Sequence, residues 1–369
     1  DRMLYIYSVN TKSKDGSENN NTGLSAETIR ECLYTLKKPE AVTVTAQNSH
    51  VISIPSKRLF EEYTVYYTDP AFWKVFDFKF LSGKPFTEAD FNSGLPHVVI
   101  SDKLAGILFG TQDVVGRDIL VNNVMPCTIA GVVKRPSKAA SEAFADVWMP
   151  YTANTLYTNS GGCDGMCGPF GAEILAHKLS DIDAIYAEIQ QGVARYNAGK
   201  ADFILTIPKP FTHLELALGS SSRYGYNRVG WGEYLKTTGW VLLFLLLVPT
   251  LNLTGIVQSA VQKRRPEMGL RKAFGATGER LFTQVVCENL IITLIGGVLG
   301  VGLSVVLLYV GRSFLLTKDT VITFGMLFQP LLFVAALFFT LVLNVLSSGL
   351  PAFRIARERI VESLKDANV

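Results

Sequence analysis

The sequence predicts an α+β domain outside the membrane, followed by an all-α bundle of membrane-spanning helices. Two observations lead to this fold class. The composition changes near Lys236, from a mixed globular stretch to long uncharged apolar runs. Before that change, two segments follow the order of strand and helix that is typical of β-α-β units. We therefore predict an outer domain over residues 1–234 and a membrane domain over residues 235–369.

The β-α-β pattern occurs near both ends of the predicted outer domain. Near the start, apolar spacing predicts a helix over Leu24–Leu36, and a strand follows over 41–46. Near the end, a strand over Ala172–Lys178 precedes a helix capped by Ser180, and Asp202–Ile207 is the next strand. Two such units suggest a split arrangement of the ferredoxin-like type.

An insert of about residues 70–150 separates the two units. Its sequence predicts a strand over Val98–Ser101 and a short helix over Asp102–Phe109. A hairpin over 118–133 turns at an Asn-Asn pair, which is a residue pair that tolerates the required backbone angles. The insert therefore has secondary structure of its own.

Residues 10–23 contain almost no apolar side chain. Their sequence, NTKSKDGSENNNTG, is rich in Asn, Ser and charged residues. Because such a segment offers little apolar surface to bury, we expect a mobile loop here.

Five cysteines are scattered along the chain, and this odd count does not describe a disulfide framework. Cys163 and Cys167 lie four residues apart in the Gly-rich sequence GGCDGMCG. A disulfide between them fits a loop outside the membrane. A zinc site would need further ligands, and no histidine lies nearby in the sequence. We therefore predict no metal site.

Three long segments of the predicted membrane domain are uncharged over most of their length. About 20 apolar residues are needed to cross the hydrocarbon core of a bilayer. The backbone of each crossing segment must be hydrogen-bonded internally, which favours helices. The predicted spans cover about residues 237–262, 284–311 and 327–350.

The distribution of Lys and Arg predicts the orientation of these spans. Segment 263–280 carries six basic residues and the tail 354–365 carries four, whereas 312–319 carries two. Because basic loops stay in the cytoplasm, the first segment and the tail face inward and the predicted outer domain faces outward. An exported domain needs a preceding span, so we expect a further spanning helix before Asp1.

Small residues recur every four positions in the second predicted span, at Gly296, Gly300 and Ser304. Such a stripe allows two helix backbones to approach closely. Two interpretations stay open at this point, which are packing within one subunit and contact between two subunits.

The basic segment 263–280 predicts a short amphipathic helix. Pro266 suits a first helical turn, and Glu267 and Arg271 have the favourable i,i+4 order. Gly275 and its small neighbours end the pattern, and Thr277 suits the cap of the next helix. This helix either anchors the chain at lipid headgroups or docks a cytoplasmic partner.

Several classes of function are excluded by missing motifs. The chain contains no GxxxxGK[ST], GxSxG or HExxH sequence, so we expect no bound nucleotide, no catalytic residue and no cofactor. The net charge of +3 argues against nucleic-acid binding. We therefore predict that the chain is not an enzyme.

Three stretches carry a resemblance to a known family. The run EMGLRKAFGAT, from Glu267 to Thr277, resembles the coupling segment of the FtsX/MacB superfamily of ABC-transporter permeases. The tail LPAFRIAR with the following ESLK at 350–365 resembles the closing motif of that family, and DRMLY at 1–5 resembles the junction after its first span. The resemblance implies a porter-like outer domain with a sabre-like insert.

The resemblance also implies a function. It predicts a permease subunit, driven by a separate cytoplasmic ABC ATPase that binds the ATP, for export or release of a substrate in the periplasm. The alternative is an FtsX-like signalling subunit that regulates an outer partner such as a cell-wall hydrolase. The predicted ATPase-coupling residues are Glu267, Met268, Gly269, Arg271, Lys272 and Gly275.

The further expectations from this resemblance concern location and partners. They are a multi-pass protein of the bacterial inner membrane, with a large periplasmic domain and contacts to membrane lipid. The permease is expected to form a homodimer or a heterodimer with a related permease. A periplasmic adaptor or an outer-membrane protein is a further candidate partner.

Overall fold

The structure is a computed structural model of the chain. It describes residues 2–55, 61–138, 140–159, 162–218, 220–222, 225–227, 231–315, 330–331 and 333–342. The chain divides into two compact units, Asp1–Gly230 and Trp231–Val369. We call the first unit the outer domain and the second unit the helical region.

The secondary structure of the outer domain is mostly β-strand with short helices. Its strands are β1 (Met3–Ile6), β2 (Val9–Ser13), β3 (Asn19–Leu24), β4 (Ala41–Ser53), β5 (Glu62–Thr68), β6 (Phe80–Gly83), β7 (His97–Ser101), β8 (Asp118–Val121), β9 (Met125–Val133), β10 (Val147–Pro150), β11 (Cys167–Gly168), β12 (Gly171–Leu175), β13 (Phe203–Thr206), β14 (Phe211–Thr212), β15 (Ser220–Ser222) and β16 (Gly225–Asn227). Its α-helices are α1 (Ala26–Thr28), α2 (Phe72–Val75), α3 (Glu88–Asn92), α4 (Asp102–Phe109), α5 (Thr155–Thr158), α6 (Ile182–Ala198) and α7 (His213–Leu218).

The main sheet has ten strands, and nine of them follow the order β14-β1-β12-β4-β5-β10-β7-β9-β6. Strand β8 pairs with both β4 and β9. At one end of this sheet, β12 lies between β1 and β4, and β1 lies between β12 and β14, with antiparallel pairing throughout. This is the split β-α-β order, so the predicted α+β class is confirmed. The strands of the predicted insert extend the same sheet.

The prediction of a mobile loop at 10–23 is wrong. Strands β2 and β3 form an antiparallel hairpin there, and β13 pairs with β2 on its other side. The side chains of β2 alternate between buried and exposed, and the buried ones include Thr11 and Ser13. Gly16 adopts a positive φ of 80° at the turn, and the Asp15 carboxylate accepts a hydrogen bond from the Ser17 amide. Polar strands form here because pairing satisfies their backbone groups.

Several predicted elements differ in their bounds. The predicted helix over Leu24–Leu36 is replaced by α1 and a π-helical turn, Ile29–Leu33. The predicted strand at 41–46 continues to Ser53 because β5 pairs along most of its length. Ser180 does not cap α6, since a 3-10 turn, Leu179–Asp181, precedes that helix. The strand predicted at 202–207 pairs with β2, and β14 takes the place beside β1.

Other predicted elements are confirmed. Helix α4 has the predicted bounds. The residue that caps its C-terminal end, Gly110, has a left-handed backbone conformation with a φ of 71°. The hairpin of β8 and β9 turns at Asn122 and Asn123, whose φ angles are 54° and 60°. Two consecutive positive φ angles are the geometry of a type I′ turn.

The core of the outer domain lies on both faces of the main sheet. Adjacent residues Tyr66 and Tyr67 of β5 belong to different buried clusters, because alternate side chains of a strand point to opposite faces. One cluster contains Ile185 and Ile189 of α6. The other cluster is rich in aromatic residues and includes the fully buried Trp148, whose ring contacts those of Trp73 and Phe78.

The helical region contains three consecutive helices, followed by a further helical stretch. They are α8 (Trp231–Lys263), α9 (Arg265–Ala273) and α10 (Gly278–Leu315). Within the residues that the structure describes, one helix is long and apolar enough to cross a membrane, Gly278–Gly311, with a mean hydropathy of 2.6. The first predicted span lies inside α8. The third lies partly outside the described residues, which include a short apolar helix, Phe333–Val342.

Candidate coupling site

The site lies in segment 263–280, which we call the coupling segment. Helix α9 has Pro266 in its first turn and ends at Ala273. Gly275 then adopts a φ of 94°, a backbone angle that favours glycine and stops the helix. The Thr277 hydroxyl accepts a hydrogen bond from the Arg280 amide at 3.4 Å, at the start of α10. The local sequence therefore produces a helix, a sharp turn and a second, capped helix.

Side-chain contacts join α9 to α10. The Arg271 guanidinium donates to the Gln284 Oε1 atom at 2.8 Å and to the Glu267 carboxylate at 2.5 Å. The Gln284 amide donates to the Glu288 carboxylate at 3.0 Å, and Arg264 also donates to that carboxylate. We call these five residues the bracing network. It connects Arg264, which lies between α8 and α9, with helix α9 and the first turns of α10.

A polar cleft of about 290 Å³ lies within the bracing network. Met268 contributes an apolar side chain to its wall, and Leu281 of α10 is only 5% exposed. Gly269 of α9 is also buried. The cleft therefore has apolar side chains from two helices in its wall and four charged side chains around it.

The structure brings together some of the predicted coupling residues. Glu267 and Arg271 are in the bracing network, Met268 lines the cleft and Gly275 forms the turn. The side chain of Lys272 lies outside the described part of the structure. The coupling role of these residues stays a prediction.

Sequence reasoning missed three members of the bracing network, which are Arg264, Gln284 and Glu288. A signal for them exists in the sequence. Gln284 and Glu288 are four residues apart at the beginning of an apolar run. A charged residue inside a predicted span is rare and usually has a partner, so Glu288 indicates a contact to a nearby cation.

The small-residue stripe of α10 is open within the described residues. Nothing lies within 4 Å of a Cβ atom built at Gly296 or Gly300. The adjacent Gly297 is different, since its Cβ would lie 2.7 Å from the Leu337 Cδ1 atom. The Ser304 hydroxyl donates to the Val301 carbonyl oxygen. Among the described residues, packing within the subunit therefore uses Gly297, and nothing approaches Gly296 or Gly300.

In the outer domain, Cys163 and Cys167 form a disulfide. Cys163 and Asp164 both have positive φ angles, of 53° and 57°, so the loop between the cysteines is tightly turned. The Lys200 ammonium donates to the Asp164 carbonyl oxygen at 2.7 Å and to the Glu27 carboxylate at 2.9 Å. Among the described residues no cluster of metal-ligating side chains occurs. These contacts serve the local fold.

The outer domain also buries three carboxyl groups, of which Asp146 forms an ion pair with Arg135, whereas Asp69 and Glu173 form none among the described residues. Burial raises the pKa of Glu173 to about 8, although Thr45 donates a hydrogen bond to it at 2.7 Å. Burial likewise raises the pKa of Asp69 to about 6, against the effect of hydrogen bonds from Tyr34 and Thr43. Asp69 accepts from two hydroxyl groups and Glu173 from one, and the second Glu173 carboxyl oxygen has no hydrogen-bond partner among the described residues.

An α+β domain followed by a long apolar helix and a short amphipathic helix is an arrangement of membrane proteins with a large domain outside the lipid. Family models match both parts of the chain. Residues 1–192 match the MacB-like periplasmic core domain, and residues 239–360 match the FtsX-like permease C-terminal domain. The chain belongs to the FtsX/MacB family of ABC-transporter permeases. This confirms the resemblance found in the sequence.

Two relatives illustrate this membership. The chain is 25% identical over 304 residues to YknZ of Bacillus subtilis, an uncharacterized ABC transporter permease, covering 82% of this chain and 70% of that protein. It is 28% identical over 303 residues to the macrolide export ATP-binding/permease protein MacB of Escherichia coli K12. That match covers 79% of this chain, which spans only 42% of the length of MacB.

Solved structures of related outer domains are also similar to this chain. The extracellular domain of YknZ from Gram-positive bacteria matches with a TM-score of 0.41 and 18% identity, over 55% of this chain and 99% of that one. The periplasmic region of MacB from Actinobacillus actinomycetemcomitans matches with a TM-score of 0.39 and 17% identity, over 56% of this chain and 88% of that one.

Proposed function

We propose that this chain is the non-catalytic permease subunit of an ABC-type complex in the bacterial inner membrane. A separate cytoplasmic ATPase binds ATP, and the permease transmits the resulting motion to its periplasmic domain for export or release of a substrate. The observation that carries this proposal is the bracing network, which holds a short basic helix against the base of a long apolar helix.

The bracing network gives this transmission a physical route. A displacement of α9 acts on α10 through the Arg271 to Gln284 hydrogen bond and through the cleft wall at Leu281. Helix α10 has 38 residues, which corresponds to a rigid rod of about 57 Å. Because such a helix is stiff, movement at its base is carried along its length.

The partners follow from the same proposal. The ATPase supplies the bound ATP, and two permease subunits, identical or related, form the membrane part of the complex. The open stripe at Gly296, Gly300 and Ser304 is the candidate contact between them. A periplasmic adaptor or an outer-membrane protein is the candidate partner of the outer domain.

The proposal is tested by co-expressing the full-length chain with ABC ATPases of its own organism and measuring ATP hydrolysis by the purified complex. We expect the permease to change the hydrolysis rate, and the double variant Glu267→Lys with Arg271→Glu to abolish that change. The matched control is Arg30→Glu with Glu31→Arg, an exposed ion pair of the outer domain.

Three results would change this proposal. If no ATPase associates with the chain, the proposed function is wrong. If the charge-swapped variant keeps wild-type coupling, the assignment of Glu267 and Arg271 is wrong. Co-purification of a cell-wall hydrolase, rather than an outer-membrane channel, would favour the alternative signalling role over transport.

A further inference from the structure

The loop that the disulfide closes uses all three of its internal carbonyl oxygens to hold other segments. We call residues 163–167 the clasp, since Cys163 and Cys167 are bonded at its ends. Each internal carbonyl oxygen accepts a hydrogen bond from one side chain. The pairs are Asp164 with Lys200 at 2.7 Å, Gly165 with Ser25 at 2.6 Å and Met166 with Thr28 at 3.1 Å. The clasp is therefore a point of attachment for segments that lie far from it in the sequence.

The three donors come from the two walls of one cleft. Ser25 caps α1 and Thr28 ends it, whereas Lys200 follows the end of α6. The cleft between these elements has a volume of about 430 Å³, and Glu27 and Lys200 both line it. The Lys200 ammonium also donates to the Glu27 carboxylate at 2.9 Å, so it joins α1 to the end of α6. The contacts of the clasp therefore hold the two walls together.

The backbone of the clasp has an unfavourable conformation. Cys163, Asp164 and Gly165 have consecutive positive φ angles of 53°, 57° and 81°. This conformation costs free energy at Cys163 and Asp164, because both carry a Cβ atom. Such strain persists only where the surrounding structure enforces it. The bond between the two cysteines joins the ends of the strained turn, so it is the covalent part of that enforcement.

We infer that the bond between Cys163 and Cys167 is a site of thiol–disulfide exchange, and that its reduction by a dithiol opens the cleft between α1 and α6. Once the bond is broken, Cys163 and Asp164 relax to negative φ angles. The carbonyl oxygens of the clasp then turn away from their donors, and Lys200 and Ser25 are released. The outer domain thereby responds to the thiols around it, whether or not the proposed function is correct.

The exchange reaction needs a dithiol outside the membrane. One thiolate of the dithiol attacks a cysteine sulfur, forms a mixed disulfide and releases the other cysteine as a thiolate. The second thiolate of the dithiol then attacks its own sulfur partner in the mixed disulfide and releases the remaining cysteine. Two electrons pass from the dithiol to the cysteine pair, and two protons follow them. The products are a chain with two free thiols and an oxidised dithiol.

The clasp lies where such an exchange can occur. It belongs to residues 1–192, which match a periplasmic domain, and disulfides form and exchange outside the cytoplasm. Cys163 and Cys167 are half-buried, whereas the free cysteines of the outer domain, Cys32 and Cys127, are buried. The clasp is therefore the cysteine site of this domain that a dithiol reaches.

The test uses the full-length chain in detergent micelles, with dithiothreitol as the dithiol. Its main readout is acylation of Lys200 by an amine-reactive reagent, measured by mass spectrometry. With the bond formed, only 14% of the Lys200 side chain is exposed. We expect reduction to raise its acylation rate at least about fivefold, because the opened cleft exposes the ammonium. Lys84 is the control in the same sample, since it is already exposed and follows β6.

Hydrogen exchange locates the opening along the chain. After reduction, the backbone amides of 25–33 and 193–200 should exchange at least about tenfold faster during brief labelling, whereas the amides of α4 should not. Urea at a concentration that lowers the stability of the oxidised chain equally is the control for global destabilisation, and it should not select these two segments. Reoxidation should restore the slow exchange.

Two variants test whether the bond itself is responsible. Cys163→Ser with Cys167→Ser should show the fast acylation and the fast exchange both with and without dithiothreitol. Cys287→Ser is the matched control, because it removes an exposed free thiol outside the clasp and should respond to dithiothreitol as the wild type does.

Three results would overturn the inference. They are a bond that dithiothreitol does not reduce in the folded chain, faster exchange confined to residues 162–168, and faster exchange of all regions together. The last result would mean that the bond stabilises the whole domain rather than closing the cleft. If the serine variant does not fold, the reduced and reoxidised wild type decides, since both states are prepared from the folded chain.

Discussion

The outer domain and the helical region use charged side chains in opposite ways. In the outer domain, Asp69 and Glu173 are buried and receive hydrogen bonds from hydroxyl groups. In the helical region, Glu267 and Arg271 are about half exposed and contact each other. Buried acids affect stability strongly, whereas exposed ion pairs contribute little to it. Substitutions in the two regions should therefore differ in what they change, and the predictions below test this difference.

The largest expected effect on stability is at Asp69. Its carboxylate accepts hydrogen bonds from the hydroxyls of Tyr34 and Thr43 and from the Phe72 amide. Asp69→Ala removes the carboxylate that accepts from the two hydroxyls, whereas the Phe72 amide keeps the Asp69 carbonyl oxygen at 3.2 Å. We expect the free energy of unfolding to fall by about 3 kcal/mol. Urea unfolding of the full chain in detergent, followed by tryptophan fluorescence, measures this loss. Asp113→Ala at an exposed position is the control, and equal losses in both variants would refute the prediction.

The second prediction concerns pH. The folded-state pKa of Glu173 is about 8, whereas an unfolded glutamate titrates near 4.5. Between these values the folded chain retains a proton that the unfolded chain has lost, so stability falls as pH rises. Asp69 adds to this fall below about pH 6. From pH 6 to 8 we expect Glu173 to contribute a loss of about 2 kcal/mol.

The check of this prediction is the difference between wild type and Glu173→Gln. The glutamine cannot titrate, so the unfolding free energy of this variant should depend less on pH in the same range. Urea titrations at pH 6, 7 and 8 give the two slopes. Parallel slopes would mean that Glu173 is already ionised in the folded chain at pH 6.

The third prediction concerns the disulfide. The bond between Cys163 and Cys167 closes a short loop, and closing a loop of this size stabilises a folded protein by about 2 kcal/mol. Cys163→Ser with Cys167→Ser should lower the unfolding free energy by about that amount. Addition of a reductant should lower the stability of the wild type and not that of the variant. No effect of either treatment would show that the bond is not formed in solution.

The outer domain could be predicted from the sequence where its elements have local signals. The helix α6 has Ile185, Ile189 and Val193 at helical spacing, and all three are buried. Strand β2 lacks such a signal, since its pairing depends on β3 and on β13, which is about 190 residues away in the chain. Long-range pairing of polar strands leaves no local apolar pattern, and this is why a mobile loop was expected there.

The candidate site could be predicted only in part for a similar reason. The i,i+4 spacing indicated the contact between Glu267 and Arg271, because both lie on one helix. The contacts of Gln284 and Glu288 depend on the direction in which α10 leaves the turn at Gly275. That direction depends on the backbone angles of the four residues between the two helices, including the φ of 94° at Gly275, and the sequence indicates a turn without giving its geometry.

The smallest expected effect on stability is at Arg271. Its contacts with Glu267 and Gln284 are exposed, and such pairs contribute at most about 1 kcal/mol. Arg271→Gln should therefore lower the unfolding free energy by less than about 1 kcal/mol, and it should still abolish most of the change in ATP hydrolysis that the permease produces. Measured together, these two quantities separate positioning from folding. A large loss of stability with normal coupling would mean that Arg271 stabilises the fold, as the buried acids of the outer domain do. The contrast between the two regions would then be wrong.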